Sequence, residues 1–286
     1  MKAWAEVFPR LDERSCKPRS AGVTMMIDKG LGPRATADLL DLAGDYVDHW
    51  KLSFGTSALM NETVLRDKVA MVRERQVLVY PGGTLTEFAI VQGVCQEYLQ
   101  RARALGFNGV EISDGTIDLA PAARRDAMAC ALDLGLTVVS EVGKKDPRRQ
   151  PTPEALAAQA VADIETGASW VILEARESGQ GVGVYGADGN VLSRDVDTLV
   201  AGLDGCLDRL IWEAPLKSQQ EYFILRFGPD VSFGNIQPGD LLALEALRAG
   251  LRFETLRPLV EKMEREQPLS LSERISRLAL LKLPEA

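Results

Sequence analysis

A chain of 286 residues, 46% hydrophobic and 26% charged, can bury an ordinary globular core without staples. Its formal charge of −8, with no basic run interleaved with aromatics, excludes nucleic acid as an expected partner; a small anion is still admissible where a few cations converge. No stretch approaches the roughly 18 apolar residues of a membrane span, and four cysteines without a CxxC pair fit a reducing compartment, so the expected location is cytoplasmic, with no apolar leader in residues 1–19.

Along the chain, short apolar runs alternate with longer segments of helical period. The first run, 22–27 (GVTMMI), ends in Asp28, Lys29 and Gly30. The second, 47–53 (VDHWKLS), carries Lys51 and Ser53 two residues apart, hence on one face. The third, 77–80 (VLVY), leads through Pro81 to Gly82, Gly83 and Thr84, and a helical stretch covers 84–105. The fourth, 109–113 (GVEIS), sets Glu111 and Ser113 on one face, followed by Asp114. A helix over 121–134 has Pro121 at its start, where a missing N–H costs nothing, and Gly135 after its end. The fifth run, 137–141 (TVVSE), continues into Val142, Gly143, Lys144 and Lys145. Thr152 then caps a helix that stops at Gly167.

The sixth run, 170–174 (WVILE), leads to Arg176, Glu177, Ser178 and Gly179. The seventh, 210–213 (LIWE), leads to Pro215 and Lys217, and the eighth, 231–233 (VSF), to Gly234 and Asn235. Helical stretches over 195–205, 217–226 and 238–249 complete the alternation. Eight strand-then-helix units without a linker predict a single (β/α)8 TIM barrel over about residues 20–250, with 254–286 as a short C-terminal helical extension.

Chemistry in such a barrel gathers at the C-terminal ends of the strands. Glu111, Glu141, Glu174 and Glu213 each stand within or at the end of an apolar run, where an unpaired carboxylate is costly. With Lys51, Lys144, Arg176 and Lys217 they form either an ion-pair network closing the barrel or an anion site with a divalent metal. Oxygen donors without His or Cys clusters suit Mg2+, and Glu111, Asp114, Glu141, Glu174 and Glu213 are the candidate ligands. Candidate substrate contacts are Lys29, Lys51, Ser113, Arg176, Lys217 and Asn235. The Gly82-Gly83-Thr84 turn either makes a turn alone or offers N–H groups to a phosphate or carboxylate. Lys144 or Lys145 is the candidate general acid, on the expectation that neighbouring cations lower a lysine's pKa.

Ser178 to Gly183 contains GxGxG but follows the sixth strand, and reads as a mobile loop over the site. His49 alternates with Asp48 and Trp50 and is not read as catalytic. As the single histidine it excludes a Ser–His triad and a histidine metal site. Cys95 and Cys130 read as buried thiols on helices.

These strand ends resemble the phosphosulfolactate synthase family. The matching stretches are Lys17-Pro18-Arg19, Thr24 to Gly32, Tyr80 to Leu85, Glu111 to Gly115, Glu141 to Lys145 and Glu174 to Gly179. They continue with Trp212 to Pro215, Gln219-Gln220, Gly234-Asn235-Ile236 and Leu244 to Arg248, so the ordered set spans nearly the whole barrel. The resemblance implies a (β/α)8 fold, Mg2+ as cofactor, and addition of sulfite to phosphoenolpyruvate giving (2R)-phospho-3-sulfolactate. The implied reaction is a conjugate addition, in which sulfite attacks the methylene carbon, charge moves into the carboxylate and a lysine delivers a proton. Ser53 and Phe54 stand where the family pattern has Gly and Trp, and Ser232 and Phe233 where it has Asn and Leu. The family is also similar to plant heat-stress-associated proteins. The alternatives are therefore a non-catalytic stress protein or a synthase acting on another enol phosphate. A homo-oligomer is the default expectation for a cytosolic barrel.

Overall fold

The computed structural model describes residues 14–266, together with Trp4 and Val7. Its eight strands are β1 (Thr24–Asp28), β2 (His49–Leu52), β3 (Leu78–Pro81), β4 (Gly109–Ile112), β5 (Thr137–Val142), β6 (Trp170–Leu173), β7 (Leu210–Glu213) and β8 (Phe233–Ile236). All paired strands run parallel, in the order β3-β2-β1-β8-β7-β6-β5-β4, so β1 meets β8 and the sheet curls into a barrel. The two end strands, β3 and β4, lie against each other and complete the circle. At that seam a side chain does the work of a ladder: Val79 N–H donates to Asn108 Oδ1 at 2.7 Å, and Asn108 Nδ2 donates to the Val77 carbonyl at 3.2 Å.

Ten α-helices accompany the strands in the described residues: α1 (Pro33–Ala43), α2 (Glu62–Glu74), α3 (Gly83–Val91), α4 (Cys95–Leu105), α5 (Pro121–Asp133), α6 (Pro153–Thr166), α7 (Ser193–Gly202), α8 (Lys217–Phe227), α9 (Leu241–Arg248) and α10 (Phe253–Glu266). The start and stop signals act as read. Thr152 Oγ1 accepts the Ala155 N–H, and Gly167 closes α6 in the left-handed region. The first two connections, for which the sequence reading names no helix, hold α1 and α2. The single helix expected over 84–105 is two, because the chain turns through Gln92, Gly93 and Val94 between α3 and α4. The last strand begins two residues later than expected: Arg248 Nη1 donates to the Val231 carbonyl at 2.7 Å and takes it out of the ladder. Helix α10 falls on the expected C-terminal extension; residues 267–286 of that extension lie outside the described residues.

Alternation along the strands divides the core in two. Trp50, Leu52, Trp212 and Phe233 face outward and pack beneath the helices, where Trp212 stacks on Phe223 at 4.3 Å between ring centroids. Val23, Met25, Tyr80, Val139, Ile172 and Ile211 fill the barrel interior. Each such fully buried apolar side chain contributes ~1.5–3 kcal/mol by leaving water. His49 shares Lys51's face and lies in this interior, edge-on to Tyr80 and Trp170. Burial depresses its pKa to about 4, so it is a neutral packing group. No described helix is long and apolar enough to cross a membrane.

Candidate active site

One residue per strand now decides the upper layer of the barrel. Lys51 on β2 is buried, and its Nζ lies 2.8 Å from Glu111 Oε2 on β4, 3.0 Å from Glu141 Oε2 on β5 and 3.5 Å from Glu213 Oε1 on β7. Lys145, just past β5, lies 3.6 Å from both Glu141 Oε1 and Glu174 Oε2. Each carboxylate is also pinned by a neutral donor. Gly83 N–H serves Glu111 at 2.7 Å, Ser113 Oγ serves Glu141 at 2.9 Å, Arg176 N–H serves Glu174 at 2.6 Å, and Ala175 N–H serves Glu213 at 2.9 Å. The layer is therefore fixed in place before any ligand arrives.

Four carboxylates around two lysines leave an excess of buried negative charge. Burial pushes Glu111 up to about 8, against the pull of Lys51. Burial, aided by the Glu141 charge, likewise raises Glu174 and Glu213. Burial also opposes ionisation of Glu141, yet Lys51 and Lys145 prevail and hold it well below the carboxylate range. Burial disfavours charge on Lys51 and Lys145 too, but their carboxylate neighbours raise both. This corrects the expectation of a lysine lowered by neighbouring cations: the groups that crowd these lysines are acids.

A cavity of about 420 Å³ opens above this layer. It brings together Lys51, Gly82, Gly83, Thr84, Glu111, Glu141, Lys145, Glu174, Arg176, Glu213 and Asn235, residues contributed by the ends of seven strands' neighbourhoods. Five other candidates stand elsewhere. Lys144 Nζ donates to Asp114 Oδ2 at 2.8 Å and to the carbonyls of Asp114 and Ile117, so Lys144 and Asp114 hold each other away from the cavity lining. Lys145 instead reaches Glu141 and Glu174 in the lining, so one lysine enters and the other does not. Lys217 pairs with Glu254 on α10. Ser113 is fully buried behind Glu141 and supports it. Lys29 bridges to Glu177 at 2.6 Å and lines an adjoining hollow with Gly30, Leu31 and Gln237.

The paired glycines also act differently from a phosphate cradle. The Gly83 N–H is already taken by Glu111, and a Cβ on Gly83 would sit 2.5 Å from Ser113 Cβ and 2.6 Å from Glu111 Oε1. Glycine here lets α3 approach β4. The glycine-bearing loop after β6 is a packed strap rather than a mobile flap. Val182, Val184 and Tyr185 are buried, and Gln219 Nε2 donates to the carbonyls of Gly179 at 2.7 Å and Gly189 at 3.0 Å. Gly183 passes so close to Glu174 that a Cβ would meet its carbonyl oxygen at 2.4 Å.

Sequence reasoning missed Glu177 and Asp146 in the lining, where Phe54 also stands. Phe54, Arg176 and Asn235 each adopt φ 58°, a left-handed conformation, near the ends of β2, β6 and β8. Such strain gathers where a site dictates the backbone. Asn tolerates the region, whereas Phe and Arg carry no sequence mark of it. Asn235 Nδ2 donates to the Arg176 carbonyl at 3.2 Å and so ties two of the three together. The Arg176 guanidinium has no ion pair among the described residues and stands open on the cavity wall.

The model of the (2R)-phospho-3-sulfolactate synthase family matches residues 12–254. The chain belongs to that family. A phosphosulfolactate synthase of Methanothermobacter thermautotrophicus is 46% identical over 245 residues, 85% of this chain and 94% of that protein. One of Bacillus subtilis is 38% identical, covering 86% of this chain and 96% of its own. This family member is an enzyme. A heat-stress-associated protein of Arabidopsis thaliana is 25% identical over 84% of the chain and 90% of its own, which extends the likeness beyond the synthases. Among solved structures, the carboxyl transferase domain of Rhizobium etli pyruvate carboxylase superposes with a TM-score of 0.51 at 11% identity. It covers 78% of this chain and 40% of that one, a likeness of fold alone.

Proposed function

We propose that this enzyme adds sulfite to phosphoenolpyruvate to give (2R)-phospho-3-sulfolactate. The observation that carries the reading is the cavity with Lys51, Lys145 and Arg176 set against four buried carboxylates. Two anionic reactants must share one small space, and fixed cations at its floor and wall offset their repulsion. In the reaction a C–S bond forms at the methylene carbon and the C=C π bond breaks. Its electrons move into the substrate carboxylate, and a proton then closes the C–H bond at the phosphate-bearing carbon. Lys145, an ammonium facing the cavity, is the proposed proton donor; Arg176, exposed and without an ion pair among the described residues, is the proposed anion contact.

Mg2+ fits the donor set. Among the described residues no three His, Cys, Asp or Glu groups converge into a ready-made cage. Mg2+ commonly takes only one or two carboxylates, with water and substrate oxygens completing its shell. Glu141 and Glu174 lie within hydrogen-bond reach of each other, and two buried carboxylates that close need a proton or a cation between them. These two residues would hold it, with Glu111 and Glu213 adding charge. Bound there, Mg2+ would stabilise the negative charge that builds on the substrate carboxylate.

The test is direct. Purified protein with phosphoenolpyruvate and sulfite, followed by phosphorus NMR, is expected to consume both only when Mg2+ is present. Lys145→Ala should lower kcat about 10²–10⁴-fold, the usual contribution of a positioned proton donor, whereas Lys144→Ala should leave most of it. No consumption under any condition would favour the alternative of a non-catalytic, heat-stress-associated protein on the same fold. Turnover that survives Lys145→Ala but not Lys144→Ala would reverse the assignment of the two lysines.

A further inference from the structure

Lys145 lies beyond Val142, the last residue of β5, so the strand itself does not fix it. Its own N–H donates to the Gly115 carbonyl at 2.9 Å. The carbonyls on either side of it, those of Lys144 and Asp146, both accept from one atom, Gln150 Nε2, at 2.6 and 2.9 Å. At the other end of that amide, Gln150 Oε1 accepts the Gly183 N–H at 2.8 Å. Gln150 does not line the cavity, and the reaction above does not use it.

These partners fix which end of the amide is which, because two carbonyls face its nitrogen and one N–H faces its oxygen. They also place its two ends at linked points of the site. The nitrogen holds the turn that carries Lys145. The oxygen holds Gly183, which abuts the Glu174 carbonyl so closely that no Cβ fits. Glu174 is in turn one of the two carboxylates that Lys145 Nζ meets at 3.6 Å, Glu141 being the other. One side chain outside the cavity therefore spans the backbones of the lysine and of its partner acid. The task needs two hydrogens on one atom and an acceptor on another, which a side-chain amide supplies; Asn would be one methylene shorter.

We propose that Gln150 is the positioning residue for Lys145: its amide clamps the turn at residues 144–146 against the strap after β6 and so sets where the ammonium stands relative to Glu141 and Glu174. Losing the two donated hydrogen bonds lets the turn open while the strand and the strap remain in place.

The kinetic arm of the test rests on the reaction proposed above; the exchange arm does not. Gln150→Glu separates the two ends of the amide. Its oxygens can still accept the Gly183 N–H, but an ionised carboxylate has no hydrogen for the carbonyls of Lys144 and Asp146. Gln150→Met removes all three contacts. In the full chain at neutral pH, residue-resolved hydrogen exchange should show the Lys145 amide exchanging about tenfold faster in both variants, the change that losing one or two ordinary hydrogen bonds makes in a local opening. The Gly183 amide should stay protected in the Glu variant and lose protection only in the Met variant. In the phosphoenolpyruvate assay both variants should lose about 10–100-fold in kcat, the cost typical of groups that orient a site from behind it, with KM little changed.

A Lys145 amide as protected in Gln150→Glu as in wild type overturns the clamp, whether or not the protein turns over sulfite. Faster exchange with unchanged kcat overturns the positioning role. So does a kcat lost only in Gln150→Met together with the protection of Gly183, since the strap alone would then matter. Wild type that consumes neither reactant defeats the reaction reading by itself, and the exchange result still decides the clamp.

Discussion

Lys51 meets three carboxylates within 3.5 Å while remaining almost wholly buried. Replacing it with Met leaves those charges without their shared partner, and breaking a buried pair from one side costs about 3–5 kcal/mol. Urea unfolding of Lys51→Met at pH 7 should show that loss, and the deficit should grow toward pH 9, as Glu111 loses the proton it keeps below about 8. Equal stability of variant and wild type at both pH values would mean the cluster does not depend on Lys51. Glu111 makes a second prediction at this scale. Its carboxyl has been pushed up to about 8, above its ordinary value, so its contribution to stability is complete below the unfolded pKa, about 4.3. That contribution is lost as pH rises through about 8. Glu111→Gln should flatten the decline in stability between roughly pH 5 and 8, measured without divalent cation. A slope identical to wild type would remove Glu111 from the linkage. Glu141 acts in the opposite sense, being held low by its lysines and destabilising only as pH falls through its depressed pKa.

Among the elements, the connection from β6 to α7 lines the cavity with Glu174, Arg176 and Glu177. It starts with Glu174 and Arg176, and its middle is locked by Gln219 from α8 and by Gln150, whose Oε1 accepts the Gly183 N–H at 2.8 Å. Tyr185 closes it further by donating to the Glu213 carbonyl at 2.7 Å. Gln219→Leu strands the carbonyls of Gly179 and Gly189, a loss of about 1–3 kcal/mol for buried groups left unpaired. Faster hydrogen exchange across residues 179–190 and a lower kcat are the expected results. Protection equal to wild type in that segment would show that the strap holds without Gln219. The GxGxG spacing gave no hint of this packing, because the anchoring glutamines lie on other elements, 30 or more residues away.

For the whole molecule, closure of the barrel at β3 and β4 depends on the Asn108 side chain. Asn108→Ala leaves the Val79 N–H and the Val77 carbonyl without it, which should cost about 1–3 kcal/mol and lower Tm by about 2–4 °C per kcal/mol in a chain of this size. Thermal unfolding followed by circular dichroism checks the loss. The folded fraction should keep its activity, since the seam's upper end is tied separately by Gly83 N–H on Glu111 and by Thr86 Oγ1 on the Glu111 carbonyl at 2.7 Å. Activity lost in parallel with stability would instead make the seam part of the site.

Local pattern alone was enough for the eight strands and for the faces that carry Lys51, Glu111, Glu141, Glu174 and Glu213. A period of two sends alternate residues to one side, and an acid inside an apolar run marks a special environment. Caps such as Thr152 and Gly167 were legible for the same reason, being decided by residues a few positions apart. The two lysines of the Lys144-Lys145 pair were not separable in sequence, because the turn after β5 and the position of Asp114 decide which of them enters the cavity. Lys217 and Glu87 show the same limit in both directions. Lys217, opening α8 just past β7, turns to Glu254 on α10, while Glu87, inside a helix, reaches the hydroxyl that holds Glu141. Sequence determines periodicity and composition because these are properties of neighbours along the chain; charge partners, pKa direction and cavity lining follow from neighbours in space, which exist only once the barrel has closed.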